Sequence, residues 1–307
     1  MSNLQLNPID MRVCIAGLWL KNPVTTASGT FSAKESSKFY DISRLGAVIT
    51  KGVAAKAWPG NPAPRIAETY GGMLNAVGLQ NPGVDDFIKD ELAFLKDFDV
   101  PVIANVAGKN IDDYCKVVEK LNNSDAAMME INISCPNVKE GGISFGICPK
   151  TAAELTKAVR KISKKPLILK LSPNVSDITE IAKAVEAEGA DCLSLINTIT
   201  GMKIDVFTKK PILANVTGGL SGPAIKPIAV RMVYQTRKAV KIPIIGLGGI
   251  QSGEDAAEFL MAGADAISVG TAALYDPTAP VRILDELERF MENRGFKNID
   301  ELKEFCK

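Results

Sequence analysis

The feature that most constrains the fold is an alternation of short apolar runs with amphipathic segments along almost the whole chain of 307 residues. The runs that predict strands cover residues 24–27, 47–51, 102–106, 127–133, 167–171, 193–197, 244–247 and 266–269. Between them lie helical patterns at residues 111–121, 152–162, 178–188, 228–239 and 254–262. Eight strands, each followed by a helix, favour a closed parallel barrel over an open doubly wound sheet. We therefore predict an α/β fold, a (β/α)8 TIM barrel, as a single domain over residues 1–307.

N-cap residues and glycines mark the ends of several predicted helices. Asn110 and Ser176 are the predicted N-caps of the helices that follow them, because short polar side chains satisfy the first free N–H groups. Gly189 and Gly263 stand at near-identical helix ends and are predicted to stop those helices.

Three segments interrupt the strand–helix rhythm. Residues 11–22 alternate around a glycine and predict a hairpin before the barrel. Residues 54–83, rich in Gly, Pro and Asn, and residues 201–222 are long excursions that follow the second and sixth strands. Loops after barrel strands lie on the C-terminal face, so we expect both excursions to cover a ligand there.

Composition excludes several classes of protein. The formal net charge of +1 provides no global field for binding nucleic acid or an anionic membrane. Apolar runs end well short of the roughly 18 residues of a transmembrane helix, and the N-terminus lacks a signal-peptide pattern. The six cysteines are scattered without any C-x-x-C pair, which predicts reduced thiols in the cytoplasm and no metal site.

Polar residues and glycines collect at the predicted carboxyl ends of the strands. They are Ser28, Gly29, Lys51, Gly52, Asn105, Asn132, Cys135, Lys170, Ser172, Asn197 and Thr198. Asparagine is a poor strand former, so three of them at one level suggest hydrogen bonding to a flat, heteroatom-rich ligand. The two lysines are either solvated caps with snorkelling stems or groups that stabilise negative charge.

Glycines follow the last two predicted strands. Gly248-Gly249 follows the seventh strand and Gly270-Thr271 the eighth, where barrels often build a phosphate site from backbone N–H groups. Ordinary turn chemistry is the alternative. No G-x-G-x-x-G pattern follows the first strand, which argues against a dinucleotide fold.

Cys135 follows the fourth strand and precedes a proline. A lone cysteine is more often a small buried hydrophobe than a catalyst. The chain contains no histidine, so a cysteine, a lysine or a carboxylate must carry any proton transfer.

Several segments in register resemble signature segments of the dihydroorotate dehydrogenase family. They are Asn75-Ala76-Val77-Gly78-Leu79-Gln80-Asn81-Pro82-Gly83, Asn132-Ile133-Ser134-Cys135-Pro136-Asn137-Val138, Lys170-Leu171-Ser172-Pro173-Asn174-Val175, Ile196-Asn197-Thr198, Thr217-Gly218-Gly219-Leu220-Ser221-Gly222-Pro223-Ala224 and Gly246-Leu247-Gly248-Gly249-Ile250. The chain departs from the family pattern in Phe31-Ser32-Ala33-Lys34, at Cys148 and in Thr200-Gly201-Met202-Lys203-Ile204.

The resemblance implies a flavin enzyme that oxidises dihydroorotate to orotate in pyrimidine synthesis. It implies that FMN is held by Ser28, Lys51, Gly52, Asn105, Asn132, Lys170, Ile196, Gly222, Gly248, Gly249, Gly270 and Thr271. It implies that dihydroorotate meets Lys51, Asn75, Ala76, Val77, Gly78, Leu79, Asn132, Asn197 and Thr198. Cys135 would remove the C5 proton while the C6 hydride passes to FMN. Because an unperturbed thiol has a pKa of about 8.5, we predict an alkaline pH optimum for this half-reaction.

The resemblance is nearest to the bacterial NAD-linked type, in which a second subunit carries FAD and an iron–sulfur cluster. It implies a heterotetramer built on a homodimer of this chain. A homodimer of the same family that passes electrons to fumarate is the first alternative. A non-redox barrel that binds a substrate phosphate, such as an aldolase or isomerase, is the second. A quinone-linked form is not expected, because no apolar extension precedes the barrel.

Overall fold

The computed structural model describes residues 9–134 and 145–303. The strands in chain order are β1 (Val13–Ile15), β2 (Leu18–Leu20), β3 (Val24–Thr26), β4 (Val48–Ile49), β5 (Ile66–Thr69), β6 (Gly72–Asn75), β7 (Val102–Val106), β8 (Met128–Asn132), β9 (Leu167–Lys170), β10 (Cys192–Leu195), β11 (Ile199–Met202), β12 (Ile204–Asp205), β13 (Lys210–Pro211), β14 (Thr217–Ser221), β15 (Ile244–Leu247) and β16 (Ala266–Val269). The α-helices are α1 (Ala33–Ser36), α2 (Val84–Asp86), α3 (Ala93–Leu95), α4 (Ile111–Leu121), α5 (Pro149–Ile162), α6 (Ile178–Ala187), α7 (Lys226–Ala239), α8 (Gly253–Met261), α9 (Ala272–Tyr275), α10 (Ala279–Arg294) and α11 (Ile299–Lys303). A π-helical turn at Phe87–Leu92 joins α2 to α3, and 3₁₀ turns lie at Ile42–Arg44 and Pro223–Ile225.

The eight predicted barrel strands form one parallel sheet. Around the barrel they follow in the order β3, β4, β7, β8, β9, β10, β15 and β16. The sheet closes between β3 and β4 through a parallel bridge from Thr25 to Ala47. The Thr26 hydroxyl adds two bonds across this seam, donating to the carbonyl of Ile49 (3.1 Å) and accepting from its N–H (2.9 Å). The predicted (β/α)8 barrel is therefore confirmed, with strands that are buried on both faces as parallel sheets require.

The N-terminal hairpin is also confirmed. β1 and β2 pair antiparallel, with Val13 opposite Leu20. Both of these side chains are buried and join the main hydrophobic core. That one cluster extends from Met11 to Leu302. The assignment of residues 1–307 to a single domain stays a prediction.

Helix ends agree with the sequence to within one residue except at the starts of α5 and α7, and the N-cap of α6 differs from the predicted one. Asn110 caps α4 as predicted, accepting from the N–H of Asp113 at 2.9 Å. The cap of α6 is Asp177 and not Ser176, because the Asp177 carboxylate accepts from the N–H of Thr179. Helices α5 and α7 begin earlier than predicted, since a proline in the first turn of each does not interrupt a helix there.

The two long excursions pair with each other. A four-stranded antiparallel sheet, which we call the roof, has the order β11, β14, β6, β5. In the roof, Gly219 lies opposite both Asn75 and Thr200. A side chain at Gly219 would lie 1.9 Å from the Thr198 hydroxyl, so only glycine permits this close approach. The excursions therefore form a sheet with its own small core of Ala67, Leu74, Ala76 and Leu213.

Candidate active site

A cavity opens at the carboxyl ends of the barrel strands and extends to residues of the roof. Every residue that the resemblance assigns to FMN lines it: Ser28, Lys51, Gly52, Asn105, Asn132, Lys170, Ile196, Gly222, Gly248, Gly249, Gly270 and Thr271. Of the residues assigned to dihydroorotate alone, Asn75, Val77, Gly78, Leu79, Asn197 and Thr198 line the same cavity.

One predicted residue does not line the cavity, and a second one lies outside the described residues. Ala76 is buried in the small core of the roof, against Leu74 and Leu213, and does not line the cavity. Cys135 lies outside the described residues. The last described residue before it, Ser134, is fully buried and donates its hydroxyl to Asn132 Oδ1 (3.1 Å) at the carboxyl end of β8.

A glycine-lined wall forms one side of the cavity. Gly222, Gly248 and Gly249 all have positive φ values, which L side chains rarely adopt. A Cβ at Gly249 would lie 2.7 Å from the carbonyl oxygen of Gly222, so the segments after β14 and β15 approach at backbone distance. Nearby, Thr271 donates its hydroxyl to Ser221 at 2.8 Å. Such a wall lets a phosphate approach backbone N–H groups closely.

Lys170 places a buried positive charge at the end of β9. Its Nζ donates to Ser28 Oγ at 2.9 Å and lies 3.8 Å from Glu130 Oε1. The Lys170 side chain is only 5% exposed and that of Glu130 only 1%. An ammonium group withdrawn from water in this way is available to stabilise negative charge on a bound ligand.

Asn105 presents an unpaired acceptor. Its Nδ2 donates to Glu130 Oε1 at 2.5 Å, while its Oδ1 is buried without a hydrogen-bond partner. A Cβ at Gly52 would lie 2.6 Å from this oxygen, so glycine is required beside it. Buried polar atoms are nearly always paired, and one that lines a cavity indicates a missing ligand donor.

The remaining amides at the cavity are linked to one another. Asn197 Nδ2 donates to Ser134 Oγ at 2.8 Å and lies 3.4 Å from Asn132 Oδ1. The Tyr114 hydroxyl donates to the carbonyl of Asn132 at 2.7 Å, which ties α4 to the end of β8. These groups have fixed orientations, as recognition of alternating C=O and N–H groups on a ring requires.

Lys51 is half-buried at the cavity, just beyond β4. The positive charge of Lys51 acts on the side chain of Glu91. Burial raises the pKa of Glu91, and the Ala33 N–H and the charges of Lys51 and Lys34 offset part of that shift. The cavity thus contains two lysines, Lys51 and Lys170, that can balance negative charge on a ligand.

Two of the described cysteines, Cys148 and Cys192, have surroundings that shift their thiol pKa values in opposite directions. Backbone N–H groups of Thr151 and Lys150, at the start of α5, lower the pKa of Cys148. Complete burial raises the pKa of Cys192 well above its ordinary value. Neither residue lines the cavity.

Sequence reasoning missed Glu130, which lies under the cavity. It is fully buried and accepts from Asn105 Nδ2 and, at 2.7 Å, from the Ser194 hydroxyl. The available signal was a carboxylate in an otherwise apolar strand, between Met129 and Ile131. Charged residues are almost never fully buried unless they are paired.

The described residues lack two features that would indicate other functions. The helices of residues 9–134 and 145–303 include none that is long and apolar enough to cross a membrane. In the same part of the chain, no group of three or more Cys, Asp or Glu side chains is arranged to hold a metal ion.

Comparison with known proteins gives a consistent result. The family model described as "Dihydroorotate dehydrogenase" matches residues 10–291. A protein of Alkaliphilus oremlandii is 58% identical over 294 residues, which are 95% of this chain and 97% of the relative. A protein of Lachnoclostridium phytofermentans is 59% identical, over 96% of this chain and 98% of its own length. One from Geobacter metallireducens is 55% identical, over 95% and 97%. Each relative is named "Dihydroorotate dehydrogenase B (NAD(+)), catalytic subunit".

Proposed function

This chain belongs to the dihydroorotate dehydrogenase family, and we propose that it is the catalytic subunit of an NAD-linked enzyme that oxidises dihydroorotate to orotate in pyrimidine synthesis. The names of its relatives support both the reaction and the division into subunits. The observation that carries the proposal is the unpaired Asn105 Oδ1 in a cavity that also has two lysines and a glycine wall.

The residues of the cavity fit FMN. The flavin ring of FMN supplies an N–H donor for the unpaired side-chain oxygen of Asn105. The phosphate of FMN can approach backbone N–H groups closely at Gly248 and Gly249, which have no side chains. Lys170 donates to Ser28 and, like Asn105 Nδ2, faces Glu130 Oε1, so a positive charge lies near Asn105. When bound, FMN accepts the hydride, and the protein provides position and proton transfer.

The chain's own groups would position the substrate and take a proton. We assign Asn75, Asn132, Asn197 and Thr198 to the ring and carboxylate of dihydroorotate, together with Lys51 and residues 77–79. Cys135 would take the C5 proton as general base. Ser134, which precedes it in the sequence, is held by hydrogen bonds to Asn132 and Asn197. General base catalysis of this kind contributes about 10²–10⁴-fold in rate.

We propose that the electrons leave through a partner subunit. The sequence has no cysteine cluster for an iron–sulfur centre and no dinucleotide fingerprint after the first strand. We therefore assign FAD and an iron–sulfur cluster to a separate subunit, in a heterotetramer built on a homodimer of this chain. Scattered cysteines fit a reducing compartment, and we place the enzyme in the cytoplasm.

The visible spectrum tests the function directly. The purified protein should be yellow and should bleach when dihydroorotate is added without oxygen. NAD alone should not restore the colour, whereas NAD with the partner subunit should. A colourless protein that FMN cannot reconstitute would contradict the proposal. Reoxidation of the isolated, reduced chain by fumarate would instead identify the fumarate-dependent homodimer.

Replacement of the thiol tests the base. Cys135→Ala should retain FMN and orotate binding, while the rate of bleaching falls by about 10²–10⁴-fold. In the unaltered protein the bleaching rate should rise with pH, because the base must be deprotonated. A rate that is flat between about pH 6 and 9, or near-normal bleaching by Cys135→Ala, would remove Cys135 from this role.

A further inference from the structure

Glu130 is a buried acid that contacts the residues assigned to the flavin without lining the cavity itself. It lies in β8, directly opposite Asn105 of β7. Its two carboxylate oxygens contact different partners. Oε1 accepts from Asn105 Nδ2 at 2.5 Å and lies 3.8 Å from Lys170 Nζ, while Oε2 accepts from the Ser194 hydroxyl at 2.7 Å.

The first consequence concerns the orientation of the Asn105 amide. A carboxylate accepts hydrogen bonds and cannot donate them, so the atom of Asn105 that faces Glu130 must be the NH2 group. The carbonyl oxygen is thereby turned towards the side of Gly52, which lines the cavity. Glu130 thus ensures that the site presents an acceptor at this point.

The second consequence concerns charge. Lys170 and Glu130 are both almost completely buried, so water screens neither of them effectively. The carboxylate opposes the positive potential that Lys170 and Lys51 would otherwise impose on the cavity. A negative charge near a flavin disfavours its reduced form, which is anionic at alkaline pH.

We propose that Glu130 is a positioning residue that orients Asn105 as an acceptor, offsets the charge of Lys170 and lowers the reduction potential of bound FMN. This inference rests on the proposed function, because it requires FMN in the cavity. A low potential would favour onward transfer of electrons to an acceptor that is itself hard to reduce, such as NAD.

Glu130→Gln is the decisive variant. The glutamine has nearly the same shape, its oxygen can accept from Asn105, and its NH2 group can donate to the Ser194 hydroxyl. Only the charge is lost. In a titration of FMN-loaded protein against a reference dye at alkaline pH, the midpoint potential should rise. The expected change is about tenfold in the affinity for reduced relative to oxidised FMN, which corresponds to about 30 mV for two electrons.

A second variant gives the opposite sign. Ser194→Ala removes a donor that partly offsets the negative charge of Glu130 and leaves that charge in place. The midpoint potential should therefore fall, by less than Glu130→Gln raises it. A residue with only a structural role would not produce shifts of opposite sign from these two substitutions.

Asp125→Asn is the matched control. Asp125 is an exposed acid that precedes the same strand at the opposite end of the barrel and pairs with Lys96. Removing its charge should leave the potential unchanged, because bulk water and salt screen it from the cavity.

The outcomes separate this inference from the proposed function. If the unaltered protein binds no FMN, both are overturned. If it binds FMN and the potential of Glu130→Gln equals or falls below that of the unaltered protein, the inference alone is overturned. If Glu130→Gln does not fold, Ser194→Ala decides, since a potential that is raised or unchanged contradicts the role assigned to Glu130.

Discussion

At the carboxyl ends of the strands, neighbouring residues determine which hydrogen-bonding atom or charge each side chain presents to a ligand. Asn105 is an acceptor because Glu130 occupies its NH2 group, and Lys170 is held at the cavity by Ser28. In each case a buried neighbour determines which hydrogen bond or charge is left for a ligand. Glu91 and Cys148 show the same principle at residues that do not line the cavity.

Glu91 provides a pH-dependent prediction. Burial raises its pKa, so the folded protein holds this proton at pH values where the unfolded chain has released it. This contribution therefore destabilises the protein as pH rises through the unfolded pKa, and the penalty remains above the folded pKa. Glu91→Gln should unfold at a higher urea concentration than the unaltered protein at pH 7, with the advantage vanishing near pH 4.

The control for Glu91 is Asp90→Asn, an exposed acid in the same π-helical turn. It should show no comparable gain between the two pH values. An advantage of Glu91→Gln that is the same at pH 4 and pH 7 would contradict the assigned cause.

The thiols give a prediction about reactivity. Because backbone N–H groups lower the pKa of Cys148 and burial raises that of Cys192, Cys148 should carry more thiolate than Cys192 near neutral pH. Brief alkylation followed by mass spectrometry should find Cys148 modified more than about tenfold faster than Cys192. Cys148→Ser should abolish that fast site. Equal rates in the folded protein would contradict these surroundings.

At the scale of elements, α4 supports the site through its cap and one side chain. Asn110 fixes the start of the helix, and Tyr114 in its first turn donates to the carbonyl of Asn132. The position of the Asn132 backbone therefore depends on where this helix begins.

Removing the cap should weaken this connection. Asn110→Ala should lower the free energy of unfolding by about 1 kcal/mol, measured by urea denaturation, because one N–H of the first turn loses its acceptor. Asn110→Ser is the matched control and should retain most of the stability, since serine is an equally good N-cap. If the alanine and serine variants are equally stable, the side chain does not act as a cap.

At the scale of the whole molecule, the barrel depends on the seam between β3 and β4. β4 is short, and the Thr26 hydroxyl bonds both the N–H and the carbonyl of Ile49 across that seam. Ser28, which contacts Lys170, follows two residues later. Closure of the barrel and placement of the buried lysine are therefore linked.

Thr26→Val should loosen the seam. The substitution preserves shape but leaves the buried Ile49 N–H without its acceptor, at a cost of about 1–3 kcal/mol in the free energy of unfolding. Thr156→Val is the matched control, because this buried hydroxyl only donates to Ala152 O within its own helix. A loss at Thr26 no larger than that at Thr156 would show that the seam does not depend on this hydroxyl.

Much of the architecture could be predicted from local patterns. The alternation of apolar runs and amphipathic segments specified the barrel, since each run was short and each helix had a polar face. The predicted starts of α5 and α7 were too late by two or three residues, because the apolar pattern begins after Pro149 and Pro227, which lie in the first turn of each helix.

The roof could not be predicted from local sequence patterns. Its strands come from two excursions that are distant in the chain, and glycines, not an apolar alternation, mark their contact. A Cβ at Gly72 in the first excursion would lie 2.0 Å from the carbonyl oxygen of Ser221 in the second, a contact that is visible only once both excursions are in place. The burial of Ala76 could not be predicted for the same reason, because it depends on Leu213 from the other excursion.

The sequence by itself determined the barrel and the convergence of the lysines and asparagines, because the carboxyl ends of parallel strands share one face. Only the tertiary structure decided how these groups are oriented. The Asn105 amide is turned by Glu130, and Lys170 is held between Ser28 and that same carboxylate. Such orientation depends on the register between neighbouring strands and on burial, which are properties of the closed barrel and not of any one segment.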